Sequence, residues 1–566
     1  MNQIHTEIKS ILKDIGITGN LLLSTPPNKS LGDIALGCFA LAKDMKKSPV
    51  EIATEIASKI NIKEQESLEK VEVAGPYINF TFCPIWLANT VLAEITPGYG
   101  SHTIGKGKKV LVEYGCPNPM KAFHLGHLKN LITGEAVARV FENAGYQVVR
   151  VNYQGDVGMH IAKSLWGIFD KINEFNLIRE KSTKEKVEFL GQAYAHGANH
   201  FKKGEQEKKE VVEYNTKVYE NDPSIFEVFE EAKNWSLEYF DSIYKVLDSK
   251  FDCLYFESEV FQRGKELILD GVKKAIFIES EGAIIYEGEK KHRLHDRVFI
   301  NSKGYPTYEA KDIALAEKHF KDHNPDKVIH VVGKEQTEYF KVVFAAMAEV
   351  LPETAGKQHH LIGGYLQLKG EQKMSSRLGN IITGDALLGE VQNRVREIMS
   401  ENSESINEEV LEKVSTAALK YAMLKSDVSQ DVAFDMETSV STAGDSGPYL
   451  LYIVARIKSI LRKSEKKSAS FDLQSLKNIH RSEKALLLSL SNYPSITAEA
   501  LEKLDPSKIS RYLFTLSQDF NTFYHDCPVI KAEDTIKAFR IKLIEKVLSV
   551  TEHGLNLLGI KPVDEM

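Results

Sequence analysis

The sequence predicts an α/β protein built on a doubly wound parallel sheet, with a helical insertion, a small N-terminal α/β domain and an all-α C-terminal bundle. Apolar runs at 109–114, 147–153 and 327–333 indicate buried strands, and segments with apolar residues at helical spacing follow them. This alternation favours parallel strands joined by helical crossovers. Further strand-like runs, at 274–278, 283–286 and 297–300, continue the pattern in the second half of the core.

The length of the chain predicts several domains. Its 566 residues, 43% of them hydrophobic, suffice for more than one buried core. A Pro- and Gly-containing linker at 97–101 and a change to purely helical spacing near 405 suggest the boundaries. We therefore expect domains at 1–98, 99–400 and 401–566, with the charged helical stretch at about 160–250 inserted into the second domain.

Composition excludes several classes of protein. The five cysteines are scattered and form no C-x-x-C pair, so neither a disulfide framework nor a structural zinc site is indicated. No run approaches the length of a membrane span, and the first residues lack a signal-peptide core. We expect a cytoplasmic protein with no membrane partner. The net charge of −7 does not argue against RNA, because basic groups need only cluster locally.

The N-terminal domain carries clear local signals. Ser48-Pro49-Val50-Glu51 has the features of a helix start, with proline early and an acid in the first turn. Residues 71–82 predict two strands joined by a turn at Gly75-Pro76. Nothing in the composition of this domain shows RNA contact.

A strand-to-helix turn at 117–127 carries the most informative residues. The stretch Pro-Asn-Pro-Met-Lys-Ala-Phe-His-Leu-Gly-His places His124 and His127 around Gly126 at a helix N-terminus. Such an N-terminus suits a phosphate, glycine allows close approach, and imidazoles can donate hydrogen bonds to oxygens that gain charge. Taken alone, the two histidines also fit a metal pair or ordinary surface residues.

A second polar loop lies far along the chain. Lys373-Met374-Ser375-Ser376-Arg377 follows the glycine at 370, and a lysine with two hydroxyls beside glycines can wrap a polyphosphate. The two stretches together resemble the signature motifs of class I aminoacyl-tRNA synthetases. The longer pattern Pro-Asn-x-x-Lys-x-x-His-x-Gly-His resembles the arginyl-tRNA synthetases in particular, and the resemblance covers essentially the whole chain.

The resemblance implies a two-step reaction and its partners. L-arginine is activated with ATP to arginyl-adenylate, and the arginyl group is transferred to arginine tRNA. His124, Gly126, His127, Lys373, Ser375 and Ser376 would contact ATP, and Mg²⁺ is expected with the nucleotide rather than in a dedicated protein site. We expect a monomer.

The sequence departs from the family at two positions. The second lysine that the general class I loop carries is replaced by Ser376, and Val157 stands where the family usually has an aromatic residue. Lys121, three residues before His124, is placed to supply the missing charge. We therefore include Lys121 with His124, His127 and Lys373 among the predicted catalytic residues.

By the same resemblance, five residues would line the arginine pocket. Tyr308 and Asp312, four apart on a predicted helix, would meet the guanidinium. Asn118 and Gln336 would meet the backbone end of the amino acid. Glu113, at the end of a predicted strand, completes the set. A site built for guanidinium hydrogen bonds should reject lysine, so no editing domain is expected.

The helical C-terminal region resembles the anticodon-binding domain of the arginyl enzymes. Tyr449, Arg456 and Lys463 on one predicted helix are candidate tRNA contacts, although a solvated charged face gives the same pattern. Three other functions stay open at this point: a class I synthetase for another amino acid, a small-molecule nucleotidyltransferase, and an inactive paralogue that binds RNA.

Overall fold

The fold is described from a computed structural model, which covers residues 3–370, 383–401, 405–464, 476 and 478–566. The N-terminal region forms an antiparallel sheet in the order β1-β2-β4-β3, covered by helices. As predicted, Ser48 and Glu51 form a reciprocal capping box at a helix start, and two strands flank the turn at Gly75-Pro76. Its elements are α1 (Gln3–Asp14), β1 (Leu23–Ser24), β2 (Ile34–Gly37), α2 (Ala42–Met45), α3 (Pro49–Lys59), β3 (Leu68–Ala74), β4 (Tyr77–Phe82) and α4 (Pro84–Glu94).

A five-stranded parallel sheet forms the core, in the order β12-β11-β5-β6-β7. Val110, Leu111 and Val112 in the central strand are fully buried, as expected for a strand covered on both faces. The predicted doubly wound sheet is confirmed, and its two outer strands, β7 and β12, were not predicted. The strands are β5 (Lys109–Glu113), β6 (Gln147–Gln154), β7 (Cys253–Phe256), β8 (Ile278–Ser280), β9 (Ala283–Tyr286), β10 (Arg297–Ile300), β11 (Lys327–Gly333) and β12 (Gln358–Gly363).

Three of these strands correct the prediction. β8, β9 and β10 form a separate antiparallel sheet instead of joining the parallel one. A two-residue loop with positive φ at Glu281 and Gly282 joins β8 to β9, and such a loop allows only a hairpin. Residues 274–277 are also not a strand, because the chain turns at Ala275, which has φ of 58°.

Helices cover the core, and five of them form the predicted insertion between β6 and β7. Within this insertion the chain breaks at Lys202–Gly204, between a helix that ends at Phe201 and one that begins at Glu205. The helices are α5 (Leu125–Asn143), α6 (Met159–Asp170), α7 (Ile172–Ile178), α8 (Thr183–Phe201), α9 (Glu205–Tyr219), α10 (Pro223–Val246), α11 (Glu257–Lys273), α12 (Gly288–His292), α13 (Tyr308–His323) and α14 (Thr337–Val350).

The C-terminal region is the predicted helical bundle, preceded by a two-stranded parallel pair. Its core is continuous with that of the central sheet, and Arg139 of α5 donates to the main-chain oxygen of Asn556. No helix in the described ranges is long and apolar enough to cross a membrane. The elements are β13 (Leu366–Leu368), α15 (Gly384–Ser400), α16 (Glu408–Leu424), β14 (Val432–Phe434), α17 (Met436–Val440), α18 (Gly447–Lys463), α19 (Arg481–Ser491), α20 (Tyr493–Lys503), α21 (Ser507–Asp526) and α22 (Asp534–Leu557).

Candidate active site

Two stacked imidazoles cap the helix that follows the central strand. Nδ1 of His124 accepts hydrogen bonds from the main-chain N–H groups of Gly126 (3.1 Å) and His127 (3.3 Å). Nδ1 of His127 accepts in turn from the N–H of His124, at 3.3 Å, and the two ring centroids lie 3.6 Å apart. The sequence suggested that the amides at this helix N-terminus could bind a phosphate. In the structure the amides of Gly126 and His127 donate to His124 instead. Because each Nδ1 is an acceptor, the proton of each neutral ring sits on Nε2.

The electrostatics of this turn keep both rings neutral. Desolvation and the nearby Lys121 charge lower the pKa of His124. The pKa of His127 falls well below its usual value, through burial first and then through His124 and Lys121. A Cβ on Gly126 would lie 3.0 Å from the His124 ring, so glycine leaves room for the stacked arrangement. The turn thus presents two neutral Nε2–H donors.

Glu113 and His330 form a buried pair at the carboxyl edge of the sheet. They stand opposite each other on the adjacent strands β5 and β11, with Oε1 3.1 Å from Nδ1. Nε2 of His330 lies 2.8 Å from Oε1 of Gln358. Burial raises the pKa of Glu113, but His330 outweighs it and the net shift is downward. For His330, burial lowers the pKa and Glu113 outweighs it, so the net shift is upward and the pair is ionised.

Asp312 on α13 lines the same cavity, but its pKa is shifted in the opposite direction from that of Glu113. The hydroxyl of Tyr339 donates to its Oδ2 at 2.7 Å. Burial, reinforced by the Glu113 charge, raises the pKa of Asp312 to about 7, although the Tyr339 bond opposes the shift. Two carboxyl groups with opposite pKa shifts therefore line one cavity.

This acidic region contains two buried oxygens that the described residues leave unpaired. Oε2 of Glu113 and the hydroxyl of Tyr153 are buried and have no hydrogen-bond partner among the described residues. Glu257, directly after β7, adds a further carboxylate, held at 2.6 Å by Lys311. A guanidinium, with five N–H donors, matches such a set of acceptors.

The other three predicted pocket residues, Asn118, Tyr308 and Gln336, do not line this cavity. Oδ1 of Asn118 accepts from the N–H of Gly155 at 3.1 Å, joining the motif turn to the end of β6. Tyr308, at the first turn of α13, is 53% exposed. Gln336 ends a 3₁₀ turn and caps α14. Only Glu113 and Asp312 of the five line the cavity itself.

Sequence reasoning missed four supporting residues: His330, Tyr339, Glu257 and Lys311. A usable signal existed for one of them, because Lys311 immediately precedes Asp312; the strand that ends before Glu257 was itself not predicted. Nothing in the sequence pairs His330 with Glu113, which is 217 residues away.

The second motif lies outside the described residues, and with it Lys373, Ser375 and Ser376. The residues on either side of it are described. Before it, Lys369 pairs with Asp435 at 2.7 Å. After it, Thr383 bridges to His124, and the N–H of Gly384 donates to the main-chain oxygen of Phe123 at 2.6 Å. The chain therefore resumes directly against the first motif.

Lys121 lies against the helical insertion. Its ammonium lies 5.5 Å from the centre of the Tyr194 ring on α8. Desolvation, and then the charge of Lys163, lower the pKa of Lys121. Both effects are relieved by an anion, so this position favours binding of a phosphate.

A groove in the C-terminal bundle contains two of the three predicted tRNA contacts. Arg456 and Lys463 line a groove of about 690 Å³ with Tyr452 and Tyr524. The guanidinium of Arg456 lies 4.5 Å from the Tyr452 ring and 5.3 Å from the Tyr524 ring. Tyr449 is placed elsewhere, since only 7% of it is exposed and its hydroxyl accepts from Asn521.

Comparison with known proteins identifies the family. The family described as "tRNA synthetases class I (R), catalytic domain" matches residues 91–436. The arginyl-tRNA synthetase N-terminal domain matches residues 2–82, and the DALR anticodon binding domain matches residues 450–566. Each of the three regions of the chain therefore has a counterpart in one family.

Individual relatives agree. The chain is 31% identical to an arginine–tRNA ligase of Treponema denticola, over 96% of this chain and 94% of that protein. It is 32% identical to an arginine–tRNA ligase of Bdellovibrio bacteriovorus, with the same coverage. The arginyl-tRNA synthetase of Thermus thermophilus superposes with a TM-score of 0.82 at 25% identity, covering 100% of this chain and 99% of that one. The chain belongs to the arginyl-tRNA synthetase family of class I.

Proposed function

We propose that this protein is an arginine–tRNA ligase that works through the cleft between the histidine turn and the acidic cavity. It activates L-arginine with ATP to arginyl-adenylate and transfers the arginyl group to the 3′-terminal ribose of arginine tRNA, releasing pyrophosphate and AMP. The observation that carries this assignment is the pair of Nε2–H donors on the turn after β5, whose last residue, Glu113, has an oxygen without a partner among the described residues.

In the first step the arginine carboxylate attacks the α-phosphorus of ATP. The protein's task is to position the reactants and to stabilise charge that develops on phosphate oxygens. We assign that stabilisation to the Nε2–H groups of His124 and His127, which are neutral and pre-oriented. Lys373, Ser375 and Ser376 are assigned to the pyrophosphate. The ATP is expected to carry Mg²⁺ on its own phosphates.

Lys121 is proposed to replace the charge that the second loop lacks at Ser376. A matched pair of variants tests this. Lys121→Ala and Lys373→Ala should both reduce ATP–pyrophosphate exchange strongly in the presence of tRNA. If Lys121→Ala leaves the exchange rate unchanged while Lys373→Ala abolishes it, Lys121 does not compensate.

Arginine is proposed to bind with its guanidinium toward Asp312 and Tyr308. Glu113 adds negative charge from the adjacent strand, and Asn118 and Gln336 are assigned to the α-amino end. An ionised Asp312 can accept two parallel N–H bonds from a guanidinium, which lysine cannot provide. Lysine would leave buried acceptors unpaired, so the pocket itself should discriminate.

The tRNA is proposed to bind along the C-terminal groove and the N-terminal domain. In the groove, Arg456 and Lys463 supply charge for phosphates, while Tyr452 and Tyr524 offer faces on which bases stack. Tyr449 supports this surface indirectly, because Asn521 bonds both to it and to Arg456. We propose domain boundaries near residues 98 and 400, and a monomeric enzyme.

One experiment tests the whole assignment. Total tRNA is incubated with the protein, ATP and Mg²⁺, and with arginine, lysine, glutamine or cysteine in turn. Charging with arginine alone supports the proposed pocket. Charging with another amino acid would overturn the residue assignments in the pocket, and tRNA binding without any charging would point to an inactive relative.

A further inference from the structure

The residue before Lys121 has an unusual backbone conformation. Met120 has φ of +58°, in the left-handed region, and its side chain is only 1% exposed. Residues other than glycine, and large ones in particular, rarely adopt this conformation. They keep it only where the surrounding structure holds the chain in place. The direction of the Lys121 side chain depends on this turn, because Lys121 follows it immediately.

Hydroxyl groups from the helical insertion satisfy both main-chain groups of Met120. Its N–H donates to Oγ of Ser236 on α10 at 2.9 Å. Its carbonyl oxygen accepts from Oγ of Ser164 on α6 at 3.3 Å. Ser236 is 2% exposed and Ser164 is fully buried. Within the described part of the chain, neither of these main-chain groups bonds to another main-chain group.

The insertion also surrounds the side chain of Lys121. Tyr194 of α8 presents its ring to the ammonium at 5.5 Å. Lys163 of α6, next to Ser164, acts on it as a like charge. Three insertion helices therefore contribute to the position of one cation in the cleft.

We infer that the helical insertion is a positioning device for the active site, in which Ser236 and Ser164 lock the Met120 turn and so direct Lys121 toward the nucleotide. The inference rests on the proposed role of Lys121 in ATP activation. Ser236 is a positioning residue in this scheme, since it acts through the Met120 main chain. Without the Ser236 hydroxyl, a buried N–H group loses its acceptor, and the left-handed turn loses the contact that favours it.

The test compares serine variants of the full chain by ATP–pyrophosphate exchange with tRNA present. Ser236→Ala should lower kcat about tenfold while leaving KM for arginine unchanged. Ser236→Thr keeps the acceptor and should retain most of the activity. Ser242→Ala is the matched control on the same helix, because the exposed Ser242 hydroxyl bonds, among the described residues, only to the Tyr239 carbonyl oxygen, at 2.6 Å. Equal rates for Ser236→Ala and Ser242→Ala would overturn the inference.

A double-mutant cycle separates this inference from the function on which it rests. In a Lys121→Ala background, Ser236→Ala should cause no further loss, because the group that it positions is gone. Independent, multiplying losses would overturn the positioning role alone. Wild-type exchange by Lys121→Ala would instead overturn the proposed role of Lys121. If Ser236→Ala fails to fold, Ser164→Ala serves in the same cycle, with a smaller loss expected because its hydroxyl is shared with the carbonyl of His160.

Discussion

Replacing Asp312 by asparagine should separate arginine binding from ATP binding and remove a specific pH dependence. The substitution keeps the shape of the side chain and an oxygen that can accept from Tyr339. It removes the negative charge proposed to meet the guanidinium. We expect Asp312→Asn to weaken arginine binding by about 2–4 kcal/mol, roughly 30- to 1,000-fold, with little change in ATP affinity.

The pH dependence follows from the raised pKa of about 7. Arginine binds the ionised carboxylate, so binding competes with a proton. With this pKa the ionised fraction is about 0.9 at pH 8 and about 0.09 at pH 6, so the wild-type Kd for arginine should rise about tenfold between these pH values. Asp312→Asn has no such proton to lose and should show a flat profile over this range.

The same raised pKa predicts that the protein loses stability as pH rises, whereas an ordinary salt-bridged aspartate makes a protein lose stability as pH falls. The pKa of Asp312 is higher in the folded chain than in the unfolded one, so ionisation opposes folding. The stability lost as pH rises from about 4 to 7 is at most about 4 kcal/mol. At pH 8, ligand-free Asp312→Asn should therefore denature at a higher temperature than the wild type.

The assay is titration calorimetry of arginine at pH 6, 7 and 8, with ATP titrated separately, and thermal denaturation as the folding control. Repeating the titrations in buffers of different ionisation enthalpy measures the protons released on binding. A wild-type Kd that does not change between pH 6 and 8 would refute the assignment of Asp312. So would an asparagine variant that loses affinity for ATP and arginine equally.

Three further predictions concern other parts of the molecule. His127→Ala removes one Nε2–H donor and should slow adenylate formation about 10²- to 10³-fold in a pre-steady-state assay. A parallel loss of arginine affinity would argue that His127 does more than stabilise charge on the phosphate. Arg456→Ala should weaken tRNA binding about tenfold and reduce the salt dependence of binding by about one phosphate contact. Arg396→Ala, outside the groove, is the control, and equal effects of the two variants would reject the groove as the tRNA site. Arg150→Met removes the buried partner of Glu142 and one of three partners of Glu135, which keeps Arg139 and Tyr114, and should destabilise the protein by about 3 kcal/mol in thermal denaturation. The solvent-exposed Arg263→Met should cost under about 1 kcal/mol, and a similar cost for both would contradict this reasoning.

Much of the fold was predictable because its signals are local. The strand at 327–333 and the capped helix start at Ser48 depend on residues within one element, and both were identified from spacing alone. The sheet assignment of 278–300 failed for the complementary reason. Strand character is local, but whether a strand joins a parallel or an antiparallel sheet depends on its connections, and here a two-residue hairpin loop decided it.

The sequence by itself determined the fold class and the residues at the motif turn, because local segments encode them, and its motifs pointed to the family by resemblance. Only the tertiary structure decided the state of those residues. It placed His330 beside Glu113 through the register of two parallel strands, and it set Ser236 of the insertion against Met120. It also made Asp312 a weak acid and kept His124 and His127 neutral with Nε2–H donors outward. The physical reason is that protonation and hydrogen bonding depend on burial and on neighbours far away in sequence, which no local pattern contains.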